Sequence, residues 1–147
     1  MSGRPDRTTL RTADVRVGDE LPEMIVDVTA TVVVAGAIAT RDFMPVHHDR
    51  AYAEEQGSPE IFMNILSDTA YCSRFITDWA GPEAMIRKLA IRLGAPAYAG
   101  STLVYSGRVT AISSGSPGED TLISVELTAT NSLGVHVSGT AVVGLPN

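Results

Sequence analysis

Between residues 61 and 80 the apolar positions recur at steps of three and four, which is the spacing of one face of an α-helix. The recurring residues are Phe62, Ile65, Leu66, Thr69, Cys72, Ile76 and Trp79. Further apolar residues fill most of the remaining faces, and a helix that is apolar nearly all round is buried. Gly81 and Pro82 end the pattern. The spacing therefore predicts one long buried helix over residues 61–80.

After residue 85 the apolar period changes to two, which is typical of strands with one buried face. The alternating segments are 85–93, 102–112, 121–130 and, after a turn at 131–134, Val135, Val137 and Val143. Sheets with one polar face are commonly antiparallel. The helix at 61–80 is the predicted element long enough to cover the apolar face. The pattern predicts an α+β fold, in which an antiparallel β-sheet wraps around one long central α-helix.

The first third of the chain gives weaker signals. Residues 1–12 are polar and are expected to be flexible, and an apolar stretch over 21–28 follows a turn at Gly18. Residues 31–40 leave two interpretations open. Their β-branched content favours a strand, but a short apolar run also fits a buried helix, which Thr31 would cap.

Length and charge limit the possible functions. A chain of 147 residues fits a single domain over 1–147, because about 100–200 residues make one domain. The net charge of −6 argues against nucleic acid, since a phosphate backbone needs a basic surface. A single cysteine, Cys72, cannot form an internal disulfide, which favours a cytoplasmic location. No apolar run approaches the roughly 20 residues that cross a membrane.

The candidate chemistry lies in residues 42–49, Asp-Phe-Met-Pro-Val-His-His-Asp. Asp42 precedes His47 by five residues, and Pro45 stiffens the loop between them. A carboxylate and an imidazole on one short loop can hold a water between them, one taking a proton and the other giving one. This is what the addition of water to an activated double bond requires. Asp49 is expected to cap a short helix over 50–56.

The pattern Asp42-x-x-Pro45-x-His47-x-Asp49, together with the segment 92–103 and the long apolar helix, resembles the MaoC-like hydratase and dehydratase family. The resemblance covers residues 20–145 and implies a hot-dog fold. It implies that Asp42 and His47 add water to a trans-2-enoyl thioester of coenzyme A, giving a 3-hydroxyacyl thioester. It implies no cofactor beyond the coenzyme A of the substrate, and no metal is expected because no Cys/His cluster has metal-ligand spacing. Homodimers, or heterotetramers with a related hot-dog subunit, are the assemblies it implies.

The chain departs from the family pattern at two places near this loop. Met44 stands where the family usually has Asn, and Met63-Asn64 stands where a His-Gly pair usually opens the central helix. The resemblance implies that a backbone amide here, that of Asn64, binds the developing enolate oxygen, with Met63 beside it. The segment Ile-Phe-Met-Asn-Ile-Leu at 61–66 resembles the small hydratase subunits of actinobacterial steroid side-chain degradation. This implies a bulky, steroid-derived acyl chain.

Two other functions stay open. A hot-dog thioesterase would place an acidic residue on or beside the central helix, where Glu60 or Asp68 would serve. A non-catalytic subunit that supports a partner is the third possibility, although such a subunit has no need to keep both Asp42 and His47.

Several residues also have purely structural interpretations. Asp42 would then cap a turn, His47 would be a packed loop histidine, and Met63 would belong to the core. His48 would become the catalytic imidazole if the loop register were shifted by one residue. His136 is expected to be exposed on an edge-like strand. Cys72 is expected to be a packing residue of the central helix. The basic residues Arg87, Lys88 and Arg92 are expected either to contact coenzyme A or to form a solvated face.

Overall fold

The computed structural model describes residues 8–114 and 119–146, and within these residues the main feature is one antiparallel five-stranded sheet. Its strands are β1 (Glu20–Val28), β2 (Met85–Leu93), β3 (Ser101–Ser113), β4 (Thr121–Asn131) and β5 (Gly134–Leu145). The spatial order is β1-β3-β4-β5-β2, so β1 and β2 form the edges. Each segment with an apolar period of two is thus a strand, and the predicted α+β class is confirmed.

Three helices accompany the sheet in the described residues: α1 (Ala30–Ala39), α2 (Arg50–Glu55) and α3 (Ile65–Ala80). The longest, α3, turns Cys72, Phe75 and Ile76 into the core against the sheet. Gly107 of β3 permits this approach, because a Cβ there would lie 3.1 Å from the Phe75 ring. In the described part of the chain, no helix is long and apolar enough to cross a membrane.

The central helix begins at Ile65, and the predicted start at residue 61 was wrong. The backbone of 61–63 is extended and pairs with the segment 97–99, through Met63 N to Ala97 O at 3.0 Å and Ala99 N to Ile61 O at 2.9 Å. Ile61 and Met63 are buried from this extended arm. Alternate buried residues in the arm happen to continue the helical spacing, which is why the pattern overran the helix.

Residues 31–40, for which two interpretations were open, are helical. The cap is Thr29 and not Thr31, since Thr29 Oγ1 accepts a hydrogen bond from Val32 N at 3.1 Å. Gly36 faces Ser67 of α3 so closely that a Cβ would overlap the serine hydroxyl. This glycine therefore lets the C-terminal end of α1 approach the start of α3, which brings the candidate loop to the central helix.

The expectation of a flexible segment over 1–12 falls partly outside the described residues, which start at residue 8. From there the chain is held against the C-terminal end of α3. Leu10 N donates to Ala80 O at 3.0 Å, and Thr9 Oγ1 accepts from Glu83 N at 2.9 Å. Thr9 and Leu10 are therefore hydrogen-bonded to the end of α3 and the residues after it.

Candidate active site

The candidate loop leaves α1 by a sharp reversal. Thr40 ends the helix, and Arg41 takes a left-handed conformation with φ of 58°, which is uncommon for a residue other than glycine. The reversal lets Asp42 N donate to Ala37 O at 2.9 Å. Asp42 is thereby fixed at the end of α1, with its side chain partly exposed at the start of the loop.

A single 3₁₀ turn over Pro45–His47 then brings the imidazole back to the carboxylate. Met44 before it is extended, with φ −61° and ψ 124°, as expected for a residue that precedes proline. The distance from His47 Nε2 to Asp42 Oδ2 is 3.4 Å. The structure therefore brings together the two side chains that the loop spacing singled out.

The backbone of the arm before α3 fixes the orientation of His47. His47 Nδ1 lies 2.7 Å from Phe62 O. A carbonyl oxygen accepts hydrogen bonds and does not donate them, so Nδ1 carries the proton. In the neutral ring, Nε2 then has a free lone pair, and this is the atom that faces Asp42. The Phe62 ring also contacts the imidazole edge-on, with ring centroids 4.9 Å apart.

Asp42 is held as an ionised acceptor. Its Oδ2 accepts from Asn64 Nδ2 at 2.9 Å, and its Oδ1 accepts from Met44 N at 3.3 Å. The hydrogen bond from Asn64 is the largest influence on the pKa of Asp42 and lowers it. Partial burial opposes this, while the Met44 amide and the charge of His47 add to it, so the pKa lies below its ordinary value. The pair is thus an ionised carboxylate beside an imidazole whose Nδ1 carries a proton.

Asn64 begins α3 directly behind this pair. It is the N-cap of the helix, with Oδ1 accepting from Ser67 N at 3.0 Å, and it is only 3% exposed. Within the described chain, no acceptor is paired with the backbone N–H of Asn64. An unpaired N–H at the start of a helix favours negative charge. Met63 N, in contrast, is already bonded to Ala97 O, and the Met63 side chain lies in the core.

The other two polar residues of the loop, His48 and Asp49, make contacts away from Asp42 and His47. His48 is exposed and has Nε2 3.2 Å from Phe43 O, so the loop register places His47, and not His48, beside Asp42. Asp49 caps α2, as predicted, by accepting from Tyr52 N at 3.1 Å.

The two acids considered for a thioesterase are both engaged elsewhere. Glu60 Oε2 lies 3.4 Å from Arg50 Nε. Asp68 is fully buried and contacts His136. Among the basic residues near β2, Arg87 pairs with Asp120 at 2.8 Å.

The expectation that His136 is exposed was wrong, because it is 2% exposed inside the sheet. Its strand β5 lies between β4 and β2 and is not an edge. The register between β4 and β5 shifts so that Ala129 faces Val137 but Thr130 faces Val135, leaving His136 as the extra residue. This bulge breaks the alternation from which the exposure was predicted, and it turns His136 inward beside Val137.

Exposed apolar residues lie next to the polar residues along the chain. Phe43 and Met44 follow Asp42 on the loop, and Ile65 and Leu66 follow Asn64 on α3; all four are about half exposed or more. Apolar groups exposed together beside a polar site mark a binding surface for an apolar ligand or a partner.

Comparison with known proteins identifies the relatives of the chain. No protein-family model matches it. It is 48% identical over 124 residues to the 3-oxo-4,17-pregnadiene-20-carboxyl-CoA hydratase beta subunit of Mycobacterium tuberculosis, covering 84% of this chain and 92% of that one. A solved MaoC-like dehydratase has 25% identity and a TM-score of 0.83, over 95% of this chain and 43% of its own. The chain belongs to the MaoC-like hydratase family.

The solved ChsH1-ChsH2 complex from Mycobacterium tuberculosis contains a further similar chain. Its identity is 46% and its TM-score 0.83, over 89% of this chain and 98% of that one. Membership in the MaoC-like family carries the hot-dog fold, and both expectations from the sequence are confirmed. The expected enzyme class, a hydro-lyase, is confirmed with them.

Proposed function

We propose that this chain adds water to a 2-enoyl thioester of coenzyme A whose acyl group is derived from a steroid, with Asp42 and His47 as the catalytic pair. One observation carries this proposal. Asp42 Oδ2 and His47 Nε2 face each other at 3.4 Å, while Phe62 O holds the proton on the far nitrogen of the ring. The steroid acyl group follows from the 48% identity to the pregnadiene-carboxyl-CoA hydratase subunit.

The lowered pKa of Asp42 and the proton on His47 Nδ1 support the following roles within the pair. Asp42, whose pKa is lowered, is a weak base that orients a water by accepting one of its hydrogens. His47 Nε2 takes the other proton as the water oxygen bonds to the β-carbon and the double-bond electrons move to the thioester oxygen. The imidazolium formed next to the Asp42 carboxylate then gives this proton to the α-carbon. Each water contributes one hydroxyl and one hydrogen to the product, so the proton count closes.

The developing enolate oxygen needs donors that are already in place. The backbone N–H of Asn64, at the start of α3, is the donor that we assign to it. Because the donor is a backbone group, the replacement of the usual glycine by Asn64 leaves it present. This scheme requires no cofactor beyond the coenzyme A of the substrate. We also propose a cytoplasmic location, because the free thiol of Cys72 fits a reducing compartment.

We further propose that the working unit is a homodimer, or a heterotetramer with a related hot-dog subunit. Phe43, Met44, Ile65 and Leu66 present apolar surface beside the pair, and β2 has a free edge in the single chain. A partner that covers this surface would complete the wall of the acyl site. The similar chain from Mycobacterium tuberculosis was solved in a complex of two different proteins, which favours the heteromeric form.

The test is the loss of the enoyl thioester absorbance with short-chain and steroid-type enoyl-coenzyme A substrates, with free thiol followed in parallel. Asp42→Asn and His47→Ala are expected to lower kcat by about 100- to 10,000-fold, with His48→Ala as the matched control that stays near wild type. Release of thiol would instead indicate a thioesterase. Equal rates in wild type and both variants would refute the assigned pair, and silence with and without a hot-dog partner would favour a non-catalytic subunit.

A further inference from the structure

Asn64 makes a larger set of contacts than a helix cap requires. Its Nδ2 donates to Asp42 Oδ2 and to Thr40 Oγ1, both at 2.9 Å, while its Oδ1 accepts from Ser67 N at 3.0 Å. The Asn64 side chain is almost fully buried, while its partners Asp42 and Thr40 are partly buried. Both amide hydrogens and the carbonyl oxygen are therefore used, and they join α3, the end of α1 and the candidate loop.

We propose that the Asn64 side chain is a positioning residue, which holds the Asp42 carboxylate at the angle needed to act with His47 and ties it to the helix start that binds the thioester oxygen. This inference rests on the proposed function of Asp42. It concerns the amide side chain, whereas the resemblance to the family implies a role for the backbone N–H of residue 64 alone.

The orientation of the amide is determined by its neighbours. Ser67 N is a donor, so the atom that faces it must be the carbonyl oxygen of Asn64. On the other side, Thr40 Oγ1 uses its own hydrogen toward Gly36 O at 2.8 Å, which leaves a lone pair to accept from Asn64. Reversing the amide would place a donor against Ser67 N and an acceptor against Asp42. Only one orientation satisfies all three neighbours.

Asn64 and His47 both lie next to the same oxygen of Asp42, Oδ2. Asp42 Oδ2 is 2.9 Å from Asn64 Nδ2 and 3.4 Å from His47 Nε2. The hydrogen bond from Asn64 occupies one side of Oδ2, and the other side remains accessible to His47 and to a water. Without it, the Met44 amide would hold the carboxylate through Oδ1 alone, at 3.3 Å, and the group could rotate. A misplacement of about 1 Å can reduce a rate by about 100-fold.

The groups around Asp42 allow the proposal to be tested by titrating this carboxyl group. His47 is the ionisable group whose charge acts on Asp42, and the neighbours from α3 and the end of α1, Asn64 and Thr40, are neutral. Arg41, next along the chain, is exposed. The hydrogen bond from Asn64 is the largest cause of the lowered pKa of Asp42, so its removal has a predicted direction: the pKa of Asp42 rises.

Asn64→Asp is the most discriminating variant. Aspartate caps a helix as well as asparagine does, so the bond to Ser67 N is retained. Where the amide donated to Asp42, however, a carboxylate oxygen now repels it. We expect kcat to fall about 10- to 100-fold while KM changes little, because the backbone N–H of residue 64 is unchanged. The pKa of Asp42 should rise, because the donor that lowers it is lost.

Asn64→Ser separates capping from positioning. Serine also caps but is too short to reach Asp42, so kcat should fall and the pKa of Asp42 should again rise. Thr40→Val is the matched control, since it removes the second acceptor of the amide and leaves the bond to Asp42. It should lie closer to wild type than either variant of Asn64. Thermal unfolding of each protein would show that the fold is kept.

An NMR titration of the Asp42 carboxyl carbon tests the inference independently of turnover. The pKa of Asp42 should be higher in Asn64→Ser than in wild type, and close to wild type in Thr40→Val. An unchanged titration of Asp42 in Asn64→Ser would overturn the positioning role, even if kcat fell. If instead the titration shifts as expected but Asp42→Asn is fully active, the positioning holds and it is the proposed function that fails.

Discussion

His136 and Asp68 form a buried pair between β5 and the first turn of α3, with Nε2 2.8 Å from Oδ1. The other ring nitrogen lies 2.6 Å from Ala95 O. Both nitrogens thus face acceptors, which favours the ring with two protons. The pair links the sheet, the central helix and the segment whose residue Ala97 binds the arm before Asn64.

Removing one member of this pair should destabilise the protein strongly. In His136→Gln the buried Asp68 carboxylate loses its cation, which costs about 3–5 kcal/mol for a pair of this kind. Urea unfolding of His136→Gln would measure the loss, with the exposed His48→Gln as the control, expected to change by less than about 0.5 kcal/mol. The double variant with Asp68→Asn should lose less than the sum of the single variants. Strict additivity would show that the two side chains do not interact.

The stability contributed by His136 should depend on pH. Burial lowers its pKa, but the hydrogen bond and charge of Asp68, with the Ala95 carbonyl, more than offset this and leave the pKa raised. A raised pKa in the folded protein gives stability that is complete below the unfolded pKa of about 6.5. That stability is lost as the pH rises through the folded value. The free energy of unfolding should therefore fall toward alkaline pH more in wild type than in His136→Gln. Parallel curves would contradict this.

Cys72 should be inert in the folded protein. Burial, with the nearby charge of Asp68, raises the pKa of its thiol to about 12, and the thiolate is the reactive form. Mass spectrometry after iodoacetamide treatment should show no modification of native protein at pH 8. One adduct should form once urea has unfolded the chain. Rapid labelling of native protein would mean that α3 opens readily.

The cap of α1 can be tested with two neighbouring threonines. Thr29→Ala removes the acceptor of Val32 N and should cost about 1 kcal/mol. Thr31, the residue expected from the sequence to cap this helix, is exposed in its first turn, so Thr31→Ala should be close to neutral. Chemical unfolding of both variants would check the difference. A larger loss of stability in Thr31→Ala than in Thr29→Ala would indicate that Thr31 is the cap.

Local periodicity accounts for the parts of the fold that the sequence predicted. The alternation over 121–130 corresponds to β4, and Asp49 caps α2, because each depends on neighbouring residues. Asp42 and His47 also lie on one short loop, so their proximity follows from their spacing.

Contacts between distant residues could not be predicted in this way. Asn64 and Asp42 are 22 positions apart, and His136 and Asp68 are 68 apart. Such contacts depend on how helices and strands pack and on a register shift in β5, and no local pattern records either. The hydrophobic period also failed to find the start of α3, since an extended arm with buried alternate residues imitates a helical turn.

The hydrogen bond from His47 to Phe62 O separates the tautomer of the base from the identity of the neighbouring side chain. A main-chain oxygen is supplied by any amino acid, so the tautomer of the base does not depend on which side chain occupies position 62. An exchange at residue 62 therefore leaves the acceptor of Nδ1 in place and alters the edge-on ring contact with the imidazole. The tautomer of the base and the packing against it are thus set by two different parts of one residue, its carbonyl and its ring.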